Sequence, residues 1–122
     1  MKVLIVDDSA IMRRVIEQIL IGLGHEGVQA GDGVDGLARL AEHPDIGLVL
    51  LDWNMPRMNG LDFLRALERQ PGRRDLPVIM LTTEAERRKM IQAIEAGARH
   101  YLTKPFEAET LAVKIAQCVS PG

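Results

Sequence analysis

Leu48-Val49-Leu50-Leu51-Asp52 sets an uninterrupted apolar run against a carboxylate, and Trp53-Asn54-Met55-Pro56 follows as a turn. A short apolar run without alternation is the pattern of a strand buried on both faces of a parallel sheet. The same grammar recurs on either side: Val3 to Val6 ends in Asp7-Asp8, and Val78 to Leu81 ends in Thr82-Thr83-Glu84. Two weaker strand candidates are Gly27 to Ala30 and His100 to Thr103, the second running into Lys104-Pro105.

The intervening segments carry helical spacing. Ile11, Met12, Val15, Ile16, Ile19, Leu20 and Leu23 share one face of a helix at three-to-four spacing. Looser versions follow at Leu37, Leu40 and Ala41, at Leu61, Leu64 and Leu67, at Met90, Ile91 and Ile94, and at Leu111, Ile115 and Val119. Ser9 is placed to cap the first helix, Asn59-Gly60 opens the third, and Thr83 with Glu86 reads as a capping box for the fourth. Strict alternation of strand and helix predicts an α/β fold of five β-α units, with helices covering both faces of a parallel sheet.

The 122 residues suit one domain spanning 1–122, and 47% hydrophobic with 26% charged residues is ordinary globular composition. A formal net charge of -2 gives no basic field, so direct nucleic-acid binding is not expected. The single cysteine, Cys118, excludes an internal disulfide framework and a multi-cysteine zinc site, suits a reducing cytoplasm, and reads as a small buried or half-buried residue. The N-terminal apolar run is too short for a signal-peptide core and no segment has transmembrane length. A cytoplasmic protein without membrane insertion is expected. Ser120-Pro121-Gly122 reads as a tail or as the point where a longer protein was cut.

In an open parallel sheet, ligands bind beyond the carboxyl ends of the strands. There the sequence collects Asp7, Asp8, Asp52, Thr82 and Lys104. Crowded carboxylates repel one another, and a cation relieves the repulsion. With oxygen donors and no histidine or cysteine at this rim, magnesium fits better than zinc, retaining waters and accepting a phosphate oxygen. A carboxylate attacks phosphorus when positive charge neutralises both partners, a role that Lys104 and Mg2+ fill.

Each residue alone has a plainer reading. Asp7 or Asp8 suits a helix N-terminus, Asp52-Trp53-Asn54 a polar turn before proline, Lys104 a solvated surface and Tyr101 a half-buried strand. Their convergence on one rim favours chemistry. The other glycine motifs compete for attention. Gly22-Leu23-Gly24-His25-Glu26-Gly27 has the dinucleotide spacing in the wrong context, whereas Gly31-Asp32-Gly33-Val34-Asp35-Gly36 follows a candidate strand and opens a candidate helix. A small nucleotide-binding module is therefore the alternative, beside a phosphohydrolase, which lacks a visible general acid or cap segment. Arg87-Arg88-Lys89 and Arg73-Arg74 read as solvated charge, and His25, His43 and His100 share no ligand spacing.

Val6-Asp7-Asp8-Ser9, Asp52-Trp53-Asn54-Met55-Pro56-Arg57-Met58-Asn59-Gly60, Leu81-Thr82-Thr83 and Tyr101-Leu102-Thr103-Lys104-Pro105-Phe106 together closely resemble response-regulator receiver domains, most of all the single-domain chemotaxis members. The resemblance implies a flavodoxin-like, doubly wound (βα)5 sheet of strand order 2-1-3-4-5. It implies Asp52 as phosphoacceptor for a histidine kinase, and Asp8 as a direct Mg2+ ligand with Asp52. Asp7 would bind the ion largely through water, and Asn54 through its backbone carbonyl. Thr82 would hydrogen-bond the phosphoryl group, Lys104 would pair with it, Lys104-Pro105 would be cis, and Tyr101 would move inward with Thr82. Asn54 and Glu84 would shorten the life of the phosphorylated state by hastening hydrolysis. A readout surface on the fourth helix, fifth strand and fifth helix would meet a target such as a flagellar-motor switch protein.

Overall fold

The computed structural model describes residues 1–53, 55, 57–70, 72, 73, 75–83, 85, 86 and 100–119. Strands β1 (Lys2–Val6), β2 (Glu26–Ala30), β3 (Ile46–Asp52), β4 (Val78–Thr82) and β5 (His100–Thr103) and helices α1 (Ala10–Gly22), α2 (Gly33–Glu42), α3 (Gly60–Glu68) and α4 (Ala108–Val119) are described, in the order β1-α1-β2-α2-β3-α3-β4-β5-α4. All four strand pairings are parallel and the order is β2-β1-β3-β4-β5. The flavodoxin-like expectation is met. The helix expected at Met90, Ile91 and Ile94 and the charges at Arg87-Arg88-Lys89 lie outside the described residues, as do Arg74 and the 120–122 tail. Among the described residues, no helix is long and apolar enough to cross a membrane.

The apolar runs are continuous because β1, β3 and β4 each feed two cores. Leu4, Val6, Val49, Leu51, Val78 and Met80 pack with Leu40, Phe63, Leu64 and Leu67 of α2 and α3. Val3, Ile5, Leu48, Leu50, Ile79, Leu81 and Leu102 pack with Ile16, Leu20, Leu111, Ile115 and Cys118 of α1 and α4. Side chains alternate across a strand, so a sheet covered on both sides needs apolar residues at every position. Cys118, 3% exposed, is the small core residue its sequence context suggests.

Local chemistry starts three of the four described helices. Ser9 Oγ accepts from Met12 N at 3.2 Å, Asp32 Oδ1 from Asp35 N at 2.8 Å and Asn59 Oδ1 from Asp62 N at 2.9 Å, each satisfying a donor that the first helical turn leaves unpaired. Only half of the reciprocal capping box at Thr83 is present. Glu86 Oε1 accepts from Thr83 N at 3.0 Å and from Thr83 Oγ1 at 2.9 Å, while Glu86 N reaches the Thr83 carbonyl at 3.1 Å. Arg73 has a structural role. Its guanidinium donates to the Leu40 carbonyl at 2.8 Å and to the His43 carbonyl at 3.4 Å, closing the C-terminal end of α2.

The glycines that suggest a dinucleotide loop serve packing. A Cβ on Gly33 would lie 2.7 Å from Met58 Sδ, and one on Gly36 would lie 2.9 Å from Phe63 Cε2 and 3.1 Å from Val6 Cγ2. Side chains pack directly against Gly33 and Gly36 where a dinucleotide loop would leave its backbone open. The carboxylate of Asp32, 8% exposed at the cap, repels an anion there as well. Gly36→Ala adds up to about 1 kcal/mol of helix propensity, but overpacking costs roughly 1–3 kcal/mol. Phe63 and Val6 are fully enclosed at 0% exposure, so packing wins. The melting temperature of Gly36→Ala is expected to fall by several degrees in calorimetry; an unchanged value would mean that the Phe63 ring yields.

Candidate functional site

The alternation that builds the cores also aims the site. Ile5, Leu50 and Leu102 face α1 and α4, so Asp7, Asp52 and Lys104, each two residues further along, project to the same side. They meet there: Lys104 Nζ donates to Asp7 Oδ2 at 3.1 Å and to Asp52 Oδ1 at 3.2 Å. Carboxylate oxygens of Asp7, Asp8 and Asp52 all lie within 4.8 Å of one another. Asp7 and Asp52 are 1% and 6% exposed, while Asp8 opens to solvent.

Backbone ladders hold these residues in place. Asp52 sits in register with Leu81, and Trp53 N continues the ladder to the Leu81 carbonyl at 3.0 Å. Asp7 N reaches the Ala30 carbonyl at 3.1 Å, and Ser9 N donates to Asp7 Oδ1 at 2.8 Å. Lys104 N bonds the Thr82 carbonyl at 2.7 Å, tying the lysine to the end of β4. The Lys104-Pro105 bond is cis, as the resemblance implies.

Burial alone pushes the Lys104 ammonium down, yet the charges of Asp52 and Asp7 outweigh it and hold its pKa above the ordinary 10.5. A raised lysine contributes stability in full below 10.5 and loses it only as pH climbs through the higher folded value. Lys104 is therefore charged at neutral pH. One ammonium faces three carboxylates that repel one another pairwise by about 3 kcal/mol at an effective dielectric constant near 20. The excess negative charge and the hard oxygen donors fit a small divalent cation such as Mg2+.

Thr82 is fully buried, and its hydroxyl donates to the Thr83 carbonyl at 3.2 Å. It lies two residues beyond Met80, on the face toward α2 and α3, and Tyr101 of β5 packs against that same cluster. Lys114 Nζ of α4 lies 5.8 Å from the Tyr101 ring centroid. A cavity of about 460 Å³ opens beside them, lined in part by Thr103, Phe106 and Thr110. Asp7, Asp8, Asp52 and Lys104 are thus brought together and Thr82 ends the adjacent strand. Asn54 and Glu84 lie outside the described residues.

Two arginines at this rim escape a reading of sequence alone. Arg13 Nη1 donates to the Asp7 carbonyl at 2.5 Å and Arg13 Nε to Gln29 Oε1 at 3.1 Å. Arg57, at φ 66°, pairs with Asp32 and so ties the loop after β3 to the start of α2. Arg13 has no motif, and Arg57 falls inside the Asp52 to Gly60 stretch without any sign of its pairing with Asp32, because the partners are a backbone carbonyl and residues remote in sequence.

Comparison with known proteins agrees with this geometry. The profile of the family described as response regulator receiver domain matches residues 3–116. The chain is 39% identical over 123 residues to a chemotaxis protein CheY homolog of Campylobacter jejuni, covering 100% of this chain and 95% of that one. It is 43% identical over 116 residues to chemotaxis protein CheY-3 of Vibrio cholerae, covering 94% and 88%. Among solved structures, Vibrio cholerae CheY4 matches at TM-score 0.90 and 35% identity, covering 97% and 98% of the two chains. A putative response regulator from Chloroflexus aurantiacus matches at TM-score 0.92 and 28% identity, covering 98% of each.

Proposed function

Because the chain belongs to the response regulator receiver family, we propose that residues 1–122 form a single receiver domain in which Asp52 accepts a phosphoryl group. The donor is the phosphohistidine of a histidine kinase, or a small acyl phosphate. The supporting observation is the convergence of Asp7, Asp8, Asp52 and Lys104 at the carboxyl ends of β1, β3 and β5. An Asp52 carboxylate oxygen attacks phosphorus; with phosphohistidine the phosphorus–nitrogen bond breaks and the imidazole leaves, and with an acyl phosphate the bridging phosphorus–oxygen bond breaks and a carboxylate leaves.

Asp8 and Asp52 would hold Mg2+ directly, Asp7 largely through water and Asn54 through its carbonyl; the ion supplies the positive charge that lets a carboxylate approach a phosphoryl group. Lys104 shifts from the carboxylates to a phosphoryl oxygen and stabilises the charge that collects there. The Thr82 hydroxyl turns from the Thr83 carbonyl to the same group. Tyr101, on the face that Thr82 shares, follows inward and changes the surface formed by β5 and α4. Phosphorylation adds roughly two negative charges and three acceptor oxygens, enough to bias such a two-state element.

The likeness to chemotaxis proteins supports a readout in chemotaxis; the proposed target is a flagellar-motor switch protein and the proposed location the cytoplasm. Asn54 and Glu84 promote hydrolysis of the acyl phosphate, so the domain is a self-resetting switch rather than an enzyme acting on a separate substrate. Chelation provides the test. Incubation with acetyl phosphate and Mg2+ is expected to give one phosphoryl adduct by intact-mass spectrometry, and excess EDTA to abolish it. An adduct that forms equally well in EDTA would remove the metal from this scheme.

A further inference from the structure

We infer that Arg13 is a positioning residue for the metal-binding carboxylates, fixing the peptide unit that joins Asp7 to Asp8. The inference rests on the Mg2+ reading given above.

The Asp7 backbone is held on two sides. Its N–H bonds the Ala30 carbonyl at 3.1 Å, the last residue of β2. In a parallel ladder the donor for the Asp7 carbonyl would come from further along the same neighbour, but β2 has ended. Arg13, on the second turn of α1, takes that place with a charge-assisted bond of 2.5 Å from Nη1. Its own fork is anchored by Nε on Gln29 Oε1 at 3.1 Å, a residue of the same strand. The carbonyl that Arg13 grips belongs to the peptide whose N–H is that of Asp8. Gripping it fixes Asp7 ψ and Asp8 φ together, and so the directions in which both carboxylates leave the chain.

This matters because Mg2+ demands near-octahedral oxygen placement and tolerates little drift of its ligands. Ser9 N and Lys104 fix the Asp7 side chain. The exposed Asp8 lacks that enclosure, and its direction depends on its backbone. Groups that orient ligands in this way typically change metal affinity by about 10–100-fold when removed.

The sign of the effect separates positioning from bulk electrostatics. Arg13 carries positive charge close to a cation site, so by Coulomb's law alone its removal would tighten Mg2+ binding. Positioning requires the reverse. Trp53, the single tryptophan, adjoins Asp52 and is 8% exposed, so its emission is expected to respond to Mg2+ binding without any turnover. In Mg2+ titrations of the full chain, Arg13→Ala is expected to weaken the dissociation constant by about tenfold. Gln29→Ala, which keeps the charge and releases the fork, is expected to weaken it by a smaller factor. It also serves as the readout if Arg13→Ala does not fold. Arg14→Ala, which removes an exposed charge from the same helix, is expected to leave it unchanged or slightly tighter. Unchanged or tighter binding in Arg13→Ala, or in Gln29→Ala where that variant is the readout, overturns the inference alone. An unaltered protein that binds no Mg2+ overturns the metal reading and the inference with it.

Discussion

Asp52→Asn is expected to abolish the phosphoryl adduct formed from acetyl phosphate, by more than a hundredfold in rate and to below detection in intact-mass spectra. An amide lacks the anionic oxygen that attacks phosphorus, and no neighbour replaces it. Asp7 has one oxygen on Ser9 N and the other on Lys104, and Asp8 stands at the solvent edge of the cluster. The substitution is close to isosteric, and Lys104 retains Asp7 as its partner. The variant is therefore expected to fold, so a missing adduct reports chemistry rather than collapse. An adduct of undiminished yield would move the phosphoacceptor to another residue.

Lys104→Met is expected to separate two properties that share one ammonium. The lysine spans Asp7 and Asp52 at 3.1 and 3.2 Å with 18% of its side chain exposed, and its charge offsets the carboxylates whenever the cation is absent. Breaking a buried pair costs roughly 3–5 kcal/mol. Partial exposure screens the charge and reduces the expected loss to about 2 kcal/mol in denaturant unfolding without metal. Mg2+ no longer competes with the ammonium, so its binding followed by Trp53 emission is expected to tighten. Phosphotransfer is expected to slow by about a hundredfold, because a donor aimed at the developing charge is lost. Tighter Mg2+ binding with slower transfer is the signature. Slower transfer caused solely by weaker Mg2+ binding would assign Lys104 a purely structural part. Between neutral pH and 10.5 the contrast is expected to be insensitive to the titration of Lys104, since its pKa is raised from that value.

The fold was legible because its information is local and repeated. Apolar runs of strand length, spaced by helical periodicity, leave a parallel sheet covered on both faces as the economical arrangement, and the two interleaved cores are its physical expression. The strand order was not legible from spacing. Nothing in Val3 to Val6 says that it lies between β2 and β3, and resemblance supplied that order. Asp7, Asp8, Asp52 and Lys104 were readable because they terminate strands, where ligands collect in such sheets. Gly33 and Gly36 misdirect because the same absence of a side chain serves phosphate approach and tight packing. Contacts with Met58, Phe63 and Val6 decide between them. Arg13 and Arg57 were invisible for a different reason. An arginine on a helix or in a loop carries no sequence sign of the carbonyl or carboxylate that folding brings to it.

The central claim is that Asp52 carries the phosphoryl group as an acyl phosphate. Its most direct test is reductive trapping: the protein is phosphorylated with acetyl phosphate and Mg2+, treated with borohydride, digested and sequenced by tandem mass spectrometry. Reduction of an aspartyl phosphate converts that residue to homoserine. Homoserine at position 52, absent when Mg2+ or acetyl phosphate is withheld, is the expected result. Homoserine at another aspartate, or a stable phosphate ester on serine, threonine or tyrosine with position 52 unaltered, would contradict the account.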